Sequence, residues 1–330
     1  RVIHTMKFKK LVSVAVAFAM LGTVSICSAE TVTETPVQYV ALGDSIAKGY
    51  GLAEDESCYV DIVAENYGQT YSNLAVNGMN SEEFIEYLKT GEVSDAVKSA
   101  DVITVSMGSN DLLEPFMSIT ADALRIDTSN GIESGLASWF ATASALEKMQ
   151  GLKNLKTALT DNAELLQACE DYKTIYFPQM ISDIRELNPD AELLFSDMYN
   201  PFYNCSIGGS LLPLGELSDT YITKINEAFD YSAEEYITVD VYTPMNNAGL
   251  TNVKVSSTNP SLDPHPNRQG HKVIADTFIT TRNENKPLIL LKNFTLGGEV
   301  NRKIHDTDKN EVIDCFDTLA LKQSLMVSDN

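Results

Sequence analysis

One serine in this sequence stands where its hydroxyl could act as a nucleophile. Ser45 closes the triplet Gly43-Asp44-Ser45, which directly follows the apolar run at residues 37–42. A serine at a strand-to-helix turn presents its hydroxyl at the edge of a sheet. The triplet alone does not decide the role, because Gly-Asp-Ser is a common turn and serine is also a favourable helix cap.

A serine nucleophile needs a base, and the sequence contains four histidines. His265 lies in the segment Asp263-Pro264-His265-Pro266-Asn267, where two prolines fix the backbone and exclude a helix. Such a rigid loop suits an imidazole that must keep one direction, so we predict that His265 is the base. His271 falls at the start of a predicted helix and is assigned a structural role. The other histidines are His4, near the N-terminus, and His305, in the tail.

Short β-rich runs alternate with helical patterns, which predicts a three-layer α/β fold with a parallel sheet. Polar clusters follow several of these runs, and sites in such folds gather at the carboxyl ends of the strands. Residues 112–172 are too long for a simple connection, so we predict a helical insertion that forms either a lid or extra scaffold. The predicted strands are 37–42, 71–75, 102–107, 192–195 and 237–241, and the predicted helices are 55–67, 81–89, 176–187, 217–235 and 268–281.

Four polar blocks together resemble the SGNH/GDSL hydrolase superfamily and stand in that family's order. They are GDS at 43–45, an Asn-x-Ala-x-x-Gly stretch at 73–78, GSND at 108–111 and DPHPN at 263–267. The resemblance spans residues 37–281. It implies a flavodoxin-like α/β/α sandwich with five parallel strands and the helical insertion.

The resemblance also implies roles for individual residues. Ser45 would be the nucleophile and His265 the general base, with no metal in catalysis. The oxyanion hole would consist of the backbone N–H groups of Ser45 and Gly78 and the side chain of Asn110. These are suitable donors, because attack on an ester carbonyl builds negative charge on oxygen, which preorganised hydrogen bonds stabilise. Glycine permits close backbone approach, and an asparagine amide is a neutral donor.

The acid of the triad departs from the family pattern. The family commonly places it three residues before the histidine, where this sequence has Leu262. Asp263 lies two residues before His265, and in an extended segment side chains two apart point the same way. We therefore predict that Asp263 orients the imidazole, with a Ser–His dyad supported by a backbone carbonyl as the alternative. Asp44 and Asp111 are assigned structural roles in turns.

The C-terminal tail has the ligand spacing of a helix-linked calcium loop. Glu311 replaces the usual glycine of such loops. The loop and the pattern after it resemble one half of a dockerin, a module that anchors secreted enzymes to the cohesin modules of a scaffoldin. An acidic, solvated tail is the alternative. The predicted ligands of a structural Ca²⁺ are Asp306, Asp308, Asn310, the Val312 carbonyl, Asp314 and Asp317.

Charge and the N-terminal pattern limit where the protein acts. With 24 Lys and Arg against 46 Asp and Glu, the net charge of −22 excludes nucleic acid as an expected partner. Residues 1–29 have the pattern of a secretory signal peptide, with residues 1–5 upstream of its expected start at Met6, and a membrane anchor is the alternative. The domains predicted after it are an esterase domain at 30–285, a linker at 286–298 and a truncated dockerin-like segment at 299–330.

These features lead to one expected function. We expect a secreted serine ester hydrolase with a monomeric catalytic domain that acts through an acyl-enzyme. If the tail is a dockerin, the substrate is expected to be acylated plant cell-wall polysaccharide, within a cellulosome-type complex at the cell surface. The alternatives are a lipase or thioesterase for acyl-chain esters and a catalytically inactive cell-surface binding module.

Overall fold

A five-stranded parallel sheet is the centre of the fold in the computed structural model, which describes residues 38–67, 70–230, 233, 235–255 and 262–296. The strand order is β2-β1-β3-β4-β5, and each neighbouring pair is parallel. This is the flavodoxin-like order, so the predicted fold class is confirmed. The strands are β1 (Gln38–Gly43), β2 (Thr70–Asn73), β3 (Val102–Ser106), β4 (Glu192–Ser196) and β5 (Ile237–Val239).

The register of the sheet brings the predicted polar blocks to one edge. Gly43 at the end of β1 pairs with Ser106 at the end of β3, and Ala41 pairs with Asn73 at the end of β2. The central strands are buried along almost their whole length, which explains their continuous apolar runs. The blocks at 43–45, 73–78 and 108–111 therefore leave the sheet side by side.

Helices connect the strands and surround the sheet. Tyr59 and Phe278 stack with ring centroids 5.2 Å apart, which packs two of the helices together. Phe177 of another helix packs against Phe195 of β4 at 5.0 Å. The helices are α1 (Ser45–Lys48), α2 (Tyr59–Tyr67), α3 (Ser81–Leu88), α4 (Gly91–Ser99), α5 (Ser109–Leu124), α6 (Ile132–Thr142), α7 (Ala145–Leu159), α8 (Ala163–Asp171), α9 (Phe177–Leu187), α10 (Leu214–Asn226), α11 (Tyr242–Asn247) and α12 (Arg268–Leu296).

The insertion between β3 and β4 is helical, as predicted, but its helices break at polar caps. Ser144 and Glu147 form a reciprocal capping box that starts α7, and the Asn162 side chain accepts hydrogen bonds from the first turn of α8. Leu155 and Leu165 on these two helices are buried in the core. This burial favours the scaffold interpretation of the insertion.

The last described helix is longer than predicted. The prediction ended it at residue 281, whereas α12 continues to Leu296, so the backbone is helical over most of the predicted linker at 286–298. The Arg282 guanidinium pairs with the Glu192 carboxylate at 2.5 Å, and this buried ion pair joins α12 to β4.

Several predictions fall on residues that the structure does not describe. The signal peptide lies within residues 1–37, and the calcium loop and dockerin-like segment lie within residues 297–330. Among the described helices, none combines the length and the apolar character needed to cross a membrane.

Candidate active site

The turn after β1 presents the hydroxyl of Ser45. The Asp44 carboxylate accepts a hydrogen bond from the Ile46 N–H at 2.9 Å and so caps the short helix α1. Gly49 ends this helix with a φ of 78°, a left-handed conformation that glycine adopts without strain. A Cβ at Gly43 would lie 2.7 Å from the Ser106 carbonyl oxygen, so only glycine lets β1 and β3 approach here.

The loop after β2 is tied to the same helix. The Asn73 amide donates to the carbonyl of Ala47 at 2.9 Å, and its oxygen accepts from the Ala75 N–H at 3.1 Å. The Val76 N–H donates to the Gly43 carbonyl at 2.9 Å. Gly78 follows in this loop with a φ of 77°, which again favours glycine.

His265 contacts Ser45 on one side and Asp263 on the other. Its Nε2 lies 2.9 Å from Ser45 Oγ, and its Nδ1 lies 2.5 Å from Asp263 Oδ1. The same carboxylate oxygen accepts the His265 backbone N–H at 3.1 Å. The imidazole is 14% exposed, so one carboxylate holds both the ring and the backbone of a largely buried histidine. This arrangement fixes the proton on Nδ1 and directs the Nε2 lone pair at Ser45.

The environment keeps Asp263 ionised. Burial alone would raise the pKa of its carboxyl group. The hydrogen bonds from His265 and the electrostatic interactions with His265 and Lys254 outweigh burial, and the pKa of Asp263 lies below its ordinary value. A carboxylate in this state can stabilise a positive charge on the imidazole.

Asn110 lies in the first turn of α5, next to the Ser45 turn. Its side chain is buried, and Nδ2 donates to the Met79 carbonyl oxygen at 2.8 Å. Because Met79 follows Gly78 in the chain, this hydrogen bond links Asn110 to the Gly78 loop. Ser45, Asn110 and His265 all line one cavity.

The rest of that cavity is almost entirely apolar. Helices α5, α8 and α10 supply much of its wall, together with the segment that follows β4. Its side chains other than those of Ser45, Asn110 and His265 are Ile46, Ser109, Leu112, Leu113, Phe116, Leu165, Met198, Tyr199, Pro201, Phe202, Ser218, Tyr221, Ile222 and Pro264.

Comparison with known proteins decides the family. Residues 41–273 match the model of the GDSL-like Lipase/Acylhydrolase family. The chain belongs to this family. It is therefore a carboxylic ester hydrolase, and the predicted enzyme class is confirmed.

Two relatives illustrate the range of similarity of this GDSL-like acylhydrolase. Uncharacterized protein YpmR of Bacillus subtilis (strain 168) is 28% identical over 256 residues, which cover 74% of this chain and 81% of YpmR. The crystal structure of the lipase Lip_vut3, from a goat rumen metagenome, is similar with a TM-score of 0.51 at 20% identity. That match covers 74% of this chain and 97% of the lipase, and it supports the fold.

Two aspartates beside the site make structural contacts in this acylhydrolase, but only Asp44 stabilises a turn as predicted, since Asp111 contacts a different helix. The Ser81 hydroxyl donates to the Asp111 carboxylate at 2.8 Å, which joins α3 to α5. Asp44 forms the helix cap described above. Burial raises the pKa of each carboxyl group to about 6, because the interior disfavours the charged form.

His271 is buried behind the site and has a structural contact. Its Nδ1 accepts a hydrogen bond from the Tyr59 backbone N–H at 3.2 Å, so α12 is joined to the start of α2. Burial lowers the pKa of His271 to about 4 and keeps the ring neutral. His4 and His305 lie outside the described residues.

No cluster of metal-binding side chains occurs within the described ranges. The six predicted calcium ligands at 306–317 lie outside these ranges. Cys58, Cys169 and Cys205 are buried free thiols. Cys315 lies in the segment that the structure does not describe.

Three residues beside the candidate triad were missed by sequence reasoning. The Tyr50 ring packs against the His265 imidazole with centroids 4.8 Å apart, and the Tyr199 hydroxyl donates to the Pro264 carbonyl at 2.9 Å. Lys254 contacts both the Ser45 and the His265 segments. Tyr199 follows β4, so its place at a strand end is a signal that could have found it. Tyr50 and Lys254 had no comparable signal.

Proposed function

We propose that this family member is a serine esterase in which Ser45 is the nucleophile, His265 the general base and Asp263 the group that orients His265. The observation that carries the proposal is the contact between Ser45 Oγ and His265 Nε2 at 2.9 Å. This distance lies within the range for proton transfer from a nucleophile to a positioned base. The Asp263 contact on the opposite ring nitrogen supports the triad over the dyad.

The reaction follows from these positions. His265 Nε2 takes the proton of Ser45 while Oγ attacks the ester carbonyl carbon, which produces a tetrahedral intermediate. Collapse of the intermediate breaks the bond to the alcohol oxygen, and His265 returns the proton to the leaving alcohol. Water then attacks the acyl-enzyme with His265 as the base, which releases the carboxylic acid and restores Ser45.

The proposed oxyanion hole uses the Ser45 and Gly78 backbone N–H groups and the Asn110 amide. An asparagine amide has two N–H donors, and the Met79 carbonyl accepts from the Asn110 amide nitrogen. This contact fixes the plane of the amide, so that a second N–H can serve the substrate oxygen. Fixed donors of this kind stabilise the transition state without reorganising.

The shape and chemistry of the cavity support an ester with an acyl chain of several carbons. Side chains such as Leu113, Phe116 and Leu165 extend the apolar surface away from Ser45. Burying each additional methylene there stabilises the bound substrate by about 0.8 kcal/mol. This observation favours the lipase or thioesterase alternative among the predicted substrates.

Deacylation of plant cell-wall polysaccharide is the second candidate. It rests on the calcium-loop spacing at 306–317 and its resemblance to a dockerin, together with a cohesin partner. Secretion rests on the signal-peptide pattern in residues 1–29. These proposals are supported by the sequence alone.

A substrate panel separates the two candidates. The purified enzyme is assayed with p-nitrophenyl acetate, butyrate and palmitate and with acetylated xylan. The acyl-chain proposal predicts that kcat/KM rises by at least about tenfold from acetate to butyrate. Release of acetate from xylan, with no gain from acetate to butyrate, would instead favour the polysaccharide proposal.

A further inference from the structure

Lys254 joins the two segments that carry Ser45 and His265. Its backbone N–H donates to the His265 carbonyl at 3.0 Å. Its ammonium group donates to the carbonyl oxygens of Gly51 at 2.6 Å and Tyr50 at 3.2 Å. One residue therefore contacts the loop after the nucleophile and the loop of the base.

Each of these segments is otherwise anchored to a different part of the fold. The Ser45 segment continues β1, and the Tyr50 N–H donates back to the Ser45 carbonyl at 3.0 Å. The His265 loop is tied to residues 251–254, through the bridge between Val253 and Pro266 and through the Asn267 side chain, which donates to the carbonyls of Thr251 and Val253. The side chain of Lys254 spans the gap between these two anchored units.

The close fit around the ammonium group supports a specific contact. Gly51 has a φ of 74°, and a Cβ at this position would collide with Lys254 Nζ. The two accepting carbonyls flank the Gly51 Cα, and the first of them is the carbonyl of Tyr50 itself, so the ammonium holds the backbone beside the residue whose ring packs against the imidazole. The positive charge of Lys254 also favours the carboxylate form of Asp263.

We propose that Lys254 is a positioning residue that sets the distance between Ser45 Oγ and His265 Nε2. The inference rests on the proposed roles of Ser45 and His265. A misplacement of about 1 Å between reacting groups lowers a rate by about 100-fold. Loss of the ammonium contacts is therefore expected to lower kcat. It is not expected to change KM, because Lys254 is separate from the residues that line the apolar cavity.

The test compares Lys254→Met with Lys254→Arg, which retains a cationic donor group. Lys272→Met is the matched control, because Lys272 is exposed and pairs with Asp276 on α12. With p-nitrophenyl acetate, we expect Lys254→Met to lower kcat by about tenfold or more with KM within about twofold. Lys254→Arg should restore kcat to within about threefold of wild type, and Lys272→Met should match wild type.

Several results would overturn the inference. One is a kcat of Lys254→Met within about threefold of wild type. The others are a loss of kcat/KM that comes from a raised KM, and a loss of kcat that Lys254→Arg does not restore. Ser45→Ala is assayed in parallel to test the proposed function separately. Normal activity of Lys254→Met beside an inactive Ser45→Ala would refute the role of Lys254 alone, whereas an active Ser45→Ala would refute the proposed function itself.

Discussion

The Asp263 carboxylate lies 2.5 Å from Nδ1 of His265, although a proline stands between the two residues. The carboxylate reaches the ring from two positions before the histidine, where the family pattern commonly has three. Because the same oxygen also accepts the His265 N–H, the short loop closes on itself and holds the ring. A shorter spacing therefore produces the same contact that the longer family spacing would supply.

Asp263→Asn is expected to lower kcat by about 10²- to 10⁴-fold. An amide at this position can donate to Nδ1 and so favour the wrong tautomer, which places a proton on Nε2 facing Ser45. The exposed Asp276 provides a matched control as Asp276→Asn, which should retain wild-type kcat. A loss below about tenfold for Asp263→Asn would indicate that the Ser–His pair acts as a dyad.

Asn110→Ala tests the side-chain donor of the proposed oxyanion hole. Removal of one such donor is expected to lower kcat by about 10²- to 10³-fold with a small change in KM, because the oxyanion forms only after attack. Asn154→Ala, on an exposed face of α7, is the matched control. If Asn110→Ala lowers the melting temperature and its loss of kcat is no larger than the loss of folded protein at the assay temperature, the amide acts only through its contact with Met79.

His271 should make stability depend on pH in a defined direction. Its pKa in the folded protein is about 4, below the ordinary value of 6.5, so the unfolded chain binds the proton more tightly. Above pH 6.5, neutral His271 contributes up to about 3 kcal/mol to the free energy of unfolding. This contribution is lost as the pH falls towards 4. Asp44 and Asp111 act in the opposite direction, because their raised pKa values favour the folded state at low pH.

The difference in the free energy of unfolding between wild type and His271→Asn isolates the contribution of His271. Asparagine retains an acceptor for the Tyr59 N–H but does not titrate. Urea unfolding should show wild type more stable than the variant at pH 7, with the difference shrinking by about 2 kcal/mol or more at pH 4.5. A difference independent of pH would contradict a buried neutral His271, and kcat of the variant should stay near wild type.

The strand ends and the candidate triad could be predicted because their signals are local. Apolar runs ending in GDS or GSND mark buried parallel strands followed by polar turns, and the register of β1 with β3 then brings these turns together. The contacts of Lys254 could not be predicted. Lys254 lies 203 residues from Gly51, and the pair meets only because of the folded path of the loops.

Helix ends were less predictable because they depend on caps and on contacts between residues far apart in the sequence. The capping box at Ser144 divides the predicted helical insertion, because the polar cap ends one helix and starts another within a few residues. Helix α12 continues beyond residue 281 through a polar stretch. Local composition there does not reveal the Arg282–Glu192 pair that holds the helix to β4.

The most direct test of the account is the kcat/KM of Ser45→Ala for p-nitrophenyl butyrate relative to wild type. Ser118→Ala, on the exposed side of α5, is the control, and circular dichroism verifies that both variants fold. If Ser45 is the nucleophile, the variant loses activity on the order of 10⁴-fold or more, since no other group forms the acyl-enzyme. A folded Ser45→Ala with kcat/KM within about tenfold of wild type would contradict the central claim.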